Sequence, residues 1–159
     1  MKAPRNAATT ASYLFLRKGD QILLARRRNT GYQDGNYAVP AGHLDAGEMP
    51  TEALVREVKE EIGIDINPVD AKLVHTSFRP KHDETGDRVD YYFEVRKWGG
   101  EVENLELGKC DDIRWINIDD LPENMTPHVR VAIEMAEAGQ VLSELNLDYL
   151  RANGYVVEE

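Results

Sequence analysis

Six carboxylates fall between residues 42 and 64: Asp45, Glu48, Glu52, Glu57, Glu60 and Glu61. Only Arg56 and Lys59 offset them within that stretch. Glu57, Glu60 and Glu61 follow the spacing i, i+3, i+4, which puts all three on one side of a helix. Carboxylates held that close raise one another's pKa values unless water solvates them or a cation lies among them. Their hard oxygen atoms are the ligands that Mg²⁺ or Mn²⁺ takes. The spacing therefore admits two readings, a solvated glutamate-rich face or a divalent-metal site. Arg56 is open in the same way, since a pairing with Glu52 and Glu60 would be worth only roughly a few tenths of a kcal/mol.

Such a cluster needs a helix to hold it, and residues 50 to 62 predict one. Pro50 suits the first helical position, where its missing N–H costs nothing. Gly63 suits the residue just past the end, where positive φ is required. Leu54, Val55, Val58 and Ile62 fall within an arc of about 100° that forms the packing face. The three glutamates lie beside that arc, half sheltered, and Ala53 leaves room one turn earlier. Around this helix the pattern predicts strands at 12–17 and 21–26 joined by the turn Lys18-Gly19-Asp20, then a glycine-rich loop at 29–36. A short strand at 37–40 and a loop at 42–47 follow. Further strands are predicted at 71–78, 88–96 and 113–118, a helix from Thr126 or Pro127 to about Ala138, and a third helix within 141–152. This order suggests an α/β (α+β) layered sandwich. A single domain over 1–159 is expected, with residues 1–8 flexible and 141–159 a C-terminal helix or tail.

Composition narrows the partners. The net charge of −10 argues against binding a nucleic acid polymer. It leaves room for a small anionic substrate if cations mask the local charge. The apolar runs are too short to span a bilayer, and MKAPRNAATT lacks the apolar core of a secretory signal. The single cysteine, Cys110, cannot make an internal disulfide. These features favour the cytoplasm and no membrane partner.

Residues 42 to 64 read G-x5-E-x7-R-E-V-x-E-E-x-G-I through Gly42, Glu48, Arg56, Glu57, Val58, Glu60, Glu61, Gly63 and Ile64. This resembles the Nudix box of the Nudix hydrolases, and every fixed position is matched. The resemblance implies a mixed β-sheet between helices over about residues 8 to 140. It also implies hydrolysis of a nucleoside diphosphate linked to another group, by attack of water on phosphorus, with Mg²⁺ or Mn²⁺ as cofactor. On that pattern Glu57 and Glu61 are the main metal ligands and Glu60 a third, with a backbone carbonyl at Ala41 or Gly42. Arg56 would orient the carboxylates. Glu48 would act through water on the metal or by holding the helix. The family often has serine after the Glu48 position as a helix cap. Met49 stands here, a loss of about 1 kcal/mol that Pro50 partly offsets.

Outside the box the candidates are more numerous. For the general base or an extra ligand, Asp112 is the first choice and Glu106 the second, in a loop that also carries Glu103 and Asp111. Arg26, Arg28 and Arg79 are the first candidates for the distal phosphate, with Lys81 and Arg88 beside them. Strand alternation would turn Arg27 away from Arg26 and Arg28. Tyr37 and His128 are candidates for the nucleotide, as are Tyr32, Phe78 and Tyr91. Ala38 stands where an asparagine reads the base in enzymes that remove oxidised guanine nucleotides, which argues against that specificity. Cys110 and His43 are expected to be structural.

The leading expectation is a nucleoside or deoxynucleoside triphosphate cleaved to monophosphate and pyrophosphate. The alternative is ADP-ribose or another sugar nucleotide, suggested by Pro80, 16 residues after Ile64. A nucleotide sensor without activity is the third reading, and the intact box argues against it. The apolar stretch near Val141 to Leu150 would serve either the core or a homodimer interface.

Overall fold

The computed structural model describes residues 1–157. Its strands are β1 (Ala8–Lys18), β2 (Gln21–Arg27), β3 (Tyr37–Ala38), β4 (Ala41–His43), β5 (Lys72–Arg79), β6 (Asp87–Val95), β7 (Cys110–Asn117) and β8 (Leu142–Glu144). Its helices are α1 (Pro50–Ile62), α2 (Pro127–Glu137) and α3 (Leu147–Ala152), with a 3₁₀ turn at Pro68–Asp70. The strands run in the order β3-β2-β1-β6-β5-β8, with β4 also on β1 and β7 also on β2. β1 and β6 are parallel from Ala8↔Asp87 to Leu16↔Val95, and most other pairs are antiparallel. Among the described residues no helix is long and apolar enough to cross a membrane.

Alternation along the central strands sorts the core into two layers. Leu14, Leu16, Leu23, Phe93 and Val95 point to one face and pack with Leu54, Val58 and Ile62 of α1. Phe15, Ile22, Leu24 and Tyr92 point to the other and pack with Val129, Ala132 and Ile133 of α2. The sheet is therefore buried on both sides, as the layered expectation requires.

α1 begins without a side-chain cap at Met49 and has Pro50 in its first turn. It ends at Gly63, whose φ of 76° lets its N–H reach the Lys59 carbonyl at 3.1 Å. Ser12 on β1 donates from its hydroxyl to the Pro50 carbonyl at 2.6 Å, which ties the helix start to the sheet.

Two expectations are corrected. The helix within 141–152 is a strand followed by a short helix. β8 pairs in parallel with β5 through Thr76↔Leu142 and Phe78↔Glu144, and Asn146 then caps α3 by accepting from the Tyr149 N–H at 2.9 Å. The polar Ser143 is satisfied there, its hydroxyl meeting buried His75 Nε2 at 2.9 Å. The strand expected at 37–40 ends at Ala38, before Pro40, and a second short strand, β4, begins at Ala41 and takes the first residues of the loop expected at 42–47. The final two residues of the tail expected at 141–159 lie outside the described residues.

Candidate active site

A cavity of about 610 Å³ opens beside α1. Glu57 and Glu61 of α1 form one end with Gly42 of β4 and Glu106 of the loop before β7. Arg27 and Arg88 gather around the Tyr32 ring to make a basic end on the same wall, with Tyr13 of β1, and the Arg27 charge still reaches Glu61.

The acidic end is packed so closely that it dictates residue 42. A Cβ on Gly42 would sit 2.1 Å from the Glu57 carboxyl carbon, so only glycine lets the carboxylate rest on the β4 backbone. Glu61 Oε2 accepts from the Ala41 N–H at 3.1 Å, which holds the second carboxylate against the same strand. Burial, with Glu106 and Glu57 nearby, pushes the Glu61 pKa up to about 8. The fold thus gathers carboxylates whose charge water does not relieve.

Arg56 ties this end together. It forks onto Glu48, with Nε to Oε2 at 2.8 Å and Nη2 to Oε1 at 2.9 Å. Nη1 donates to Glu57 at 2.7 Å and Nη2 to the His43 carbonyl at 3.1 Å. The guanidinium holds the Glu48 carboxyl down to about 2, helped by the Asp45 N–H. Arg56 therefore orients Glu57 and locks the 42–48 loop onto the helix, and Glu48 is its anchor. Its donors go to these groups and not to Glu52, which corrects the expected pairing.

The opposite wall is a loop pinned to the end of α1. The Leu105 N–H donates to the Glu61 carbonyl and the Glu103 N–H to the Ile62 carbonyl, each at 3.0 Å. These bonds satisfy carbonyls that a helix end leaves free. Asn104 accepts from the Glu106 N–H at 3.1 Å and donates to the Cys110 carbonyl at 2.8 Å, which fixes the turn carrying Glu106.

The site residues expected from sequence divide accordingly. Gly42, Glu57, Glu61, Glu106 and Arg26 reach the cavity, and Glu48 and Arg56 brace it. Glu60 does not reach it: 56% exposed, it turns outward 3.7 Å from Arg56. Asp112 also lies elsewhere, held by the Tyr37 hydroxyl and by Arg114 Nε at 2.7 Å, bonds that keep its pKa low. Tyr37 is buried against the α2 side and packs between Arg26 and Arg114. Arg28 has left the strand and is exposed. Arg79 is fully buried and paired with Asp90 at 2.9 Å. His128 is buried, and burial followed by the Arg79 charge lowers its pKa well below the usual value.

Arg27 goes the other way and lines the cavity beside Arg26. Opposite them the pairing of β2 with β7 slips by one residue: Arg26 pairs with Asp112 and Arg27 with Cys110, which leaves Asp111 of β7 as the bulge residue, and its carboxylate draws Arg26 Nε to 2.6 Å. His43 and Cys110, expected to be structural, also lie on the cavity wall. Asn104, Lys109, Thr30 and Tyr13 went unnoticed in the sequence. The turn chemistry of Asn104-x-Glu106 was the one available signal.

The donor set at the acidic end fits a divalent cation. Glu57, Glu61, Glu106 and the carbonyls flanking Gly42 are hard oxygen donors, and the raised Glu61 pKa marks charge in need of a counter-ion. Among the described residues no three His, Cys, Asp or Glu side chains close on a single point. A cation there would draw on backbone oxygen and substrate as well, as Mg²⁺ commonly does.

The chain is 29% identical over 116 residues to an ADP-ribose pyrophosphatase of Methanocaldococcus jannaschii, covering 73% of this chain and 66% of that protein. It is 32% identical over 105 residues to an NAD-capped RNA hydrolase of Stutzerimonas stutzeri, covering 66% of this chain and 35% of the relative. The match thus spans about a third of the latter's length. A MutT NUDIX hydrolase structure from Burkholderia pseudomallei shares the fold, with a TM-score of 0.73 at 24% identity, covering 80% of this chain and 97% of that one. Residues 6–136 match the family model described as NUDIX domain, and the chain belongs to that family.

Proposed function

We propose that this chain is a divalent-metal-dependent pyrophosphohydrolase that cleaves the diphosphate bridge of a nucleoside diphosphate linked to a second group. ADP-ribose is the first candidate substrate. The carrying observation is that a single cavity gathers two groups on its wall: the carboxylates Glu57, Glu61 and Glu106, and the guanidinium and phenol groups of Arg27, Arg88 and Tyr32. A diphosphate flanked by two riboses has the same two needs, a cation at the bridge and polar contacts beyond it. The names of the two relatives support the reading.

In this reading Glu57 and Glu61 hold the cation and Arg56 keeps Glu57 in place. When bound, the cation supplies Lewis acidity toward the diphosphate and the attacking water. Glu106 faces the same space and is the carboxylate placed to accept the proton from that water. Arg26 Nε is held by Asp111 at 2.6 Å, so its remaining nitrogens present charge to the phosphates from a fixed position.

A nucleoside triphosphate, first in the sequence reading, is the competing substrate, favoured by Lys109 and Arg26 on the wall beside the acidic end. A panel of ADP-ribose, NAD, sugar nucleotides and the triphosphates with Mg²⁺ decides. Release of AMP and ribose phosphate from ADP-ribose is the expected result. Pyrophosphate release from triphosphates with ADP-ribose untouched would reverse the order, and no cleavage of any member would end the enzymatic reading.

A further inference from the structure

The basic end of the cavity depends on residues beyond the matched segment. Tyr32 lies on the cavity wall and also packs against a small separate core of Leu145, Leu150 and Tyr155. That core belongs to the segment 142–157, outside the matched residues 6–136. The Tyr155 ring is 6.3 Å from the Tyr32 ring, centroid to centroid.

Tyr155 is buried, and its hydroxyl has defined partners. It accepts from the His128 N–H at 3.0 Å and lies 2.6 Å from His128 Nδ1. Arg79 Nη1, which can only donate, is 3.4 Å from the same Nδ1, so Nδ1 is an acceptor and the Tyr155 hydroxyl donates to it. The proton of the neutral ring then sits on Nε2, which donates to the Tyr13 hydroxyl at 3.3 Å. Tyr13 is also on the cavity wall. The same Arg79 Nη1 donates to the Tyr32 hydroxyl at 3.0 Å. One hydroxyl from the C-terminal segment thus reaches both cavity tyrosines.

Tyr32 in turn positions the two cations at this end. The guanidinium carbons of Arg27 and Arg88 lie 5.5 and 5.8 Å from its ring centroid. Arg27 bonds the Tyr32 carbonyl and the Thr30 hydroxyl, while Arg88 Nη2 donates to Asp83 at 3.1 Å and Arg88 Nε is buried without a hydrogen-bond partner among the described residues. Arg27 and Arg88 still line the cavity, where their charge would meet a substrate group.

We propose that the segment 142–157 is a specificity element of this cavity, with Tyr155 the positioning residue that sets Tyr32 and, through it, Arg27 and Arg88. This rests on the functional reading above only for the identity of the ligand. The group it selects is the ribose or phosphate beyond the cleaved bridge, which meets the guanidinium groups of Arg27 and Arg88, the latter held by Asp83.

The test compares Tyr155→Phe, Tyr155→Ala and a control, Val95→Ala, in the full chain. Val95 is fully buried in the core on the α1 side and does not line the cavity. KM and kcat are measured with ADP-ribose and Mg²⁺, and ADP-ribose affinity by calorimetry in EDTA. Tyr155→Ala should raise KM about 10-fold with kcat held within about 2-fold, a loss of uniform binding. Tyr155→Phe should fall between it and wild type, because the ring stays and the hydroxyl goes. Val95→Ala should lower Tm and leave KM unchanged. Unchanged KM and affinity in Tyr155→Ala, or an equal rise in KM in the control at equal Tm loss, would overturn the proposal. A wild-type chain that binds ADP-ribose without cleaving it overturns ADP-ribose as the substrate alone, and calorimetry on the variants then decides the role of Tyr155. A wild type that neither binds nor cleaves ADP-ribose overturns both that substrate and the proposed selection of its distal group.

Discussion

The two ends of the cavity are built by different means. The acidic end comes from one continuous stretch, β4, its loop and α1, plus a single turn at Glu106 that hangs on the last carbonyls of that helix. The basic end draws Tyr13 from β1, Arg27 from β2, Tyr32 from the following loop and Arg88 from β6, braced by Tyr155 far along the chain. A local unit fixes the geometry that bond cleavage needs, and a dispersed one fixes what lies next to the bond. The first tolerates little change in any member. The second changes when a distant strand or tail shifts, so substrate choice can vary while the chemistry stays.

If that division holds, the largest losses come from the acidic end. Glu57→Gln and Glu61→Gln should each lower kcat by about 100-fold or more, measured with saturating Mg²⁺. Glu61→Gln carries a second signature. The folded pKa of Glu61, about 8, is raised above its ordinary 4.5, so the neutral form is favoured on folding. Its contribution to metal-free stability is full below about 4.5 and is lost as pH rises through about 8. In EDTA the variant should therefore melt higher than wild type at pH 8 and alike at pH 4.5. A lower melting point at pH 8 would show that the carboxylate is not strained without a cation.

Arg56→Lys should come next, with a loss of about 10-fold in kcat, because an ammonium cannot fork onto Glu48 while reaching Glu57. Equal activity in the two proteins would show that charge alone suffices. At the basic end, Arg27→Ala and Arg88→Ala should each raise KM by about 10-fold and leave kcat within about 3-fold. A fall in kcat with KM unchanged would place one of them at the reacting centre and erase the contrast between the ends. The smallest effect is expected from Asp112→Asn, under about 3-fold in kcat, since Tyr37 and Arg114 hold that carboxylate outside the cavity. A large drop would restore it as the base.

How much of each end could be read from the chain follows from the same contrast. Glu57, Glu61, Arg56 and Gly42 lie within one helix and its entry loop, where spacing in sequence is spacing in space. Glu60 shares the side but not the depth, since Arg56 and solvent take it at the edge of the arc. The layered fold was legible for a related reason, because strands such as β1 and β6 carry apolar residues on both faces. Arg79 and His128 misled because a charged residue on a strand or helix looks available until its partner is known. Asp90 and Tyr155 lie 11 and 27 residues away from them respectively. The 141–152 segment misled because its apolar spacing suits a helix, while the edge of β5 had room for a strand.

The bulge in β7 has one more consequence, for anyone altering this protein. Asp111 is the extra residue opposite Arg26 and Arg27, and its carboxylate holds Arg26, so the setting of that arginine is stored in chain length as well as in side-chain identity. Point substitutions at 25–28 would remove a charge and keep the frame. Deleting Asp111 would bring β7 into regular pairing with β2 and release Arg26 in one step. Libraries that vary length at this point of β7 would therefore search substrate preference along an axis that substitution alone leaves unexplored.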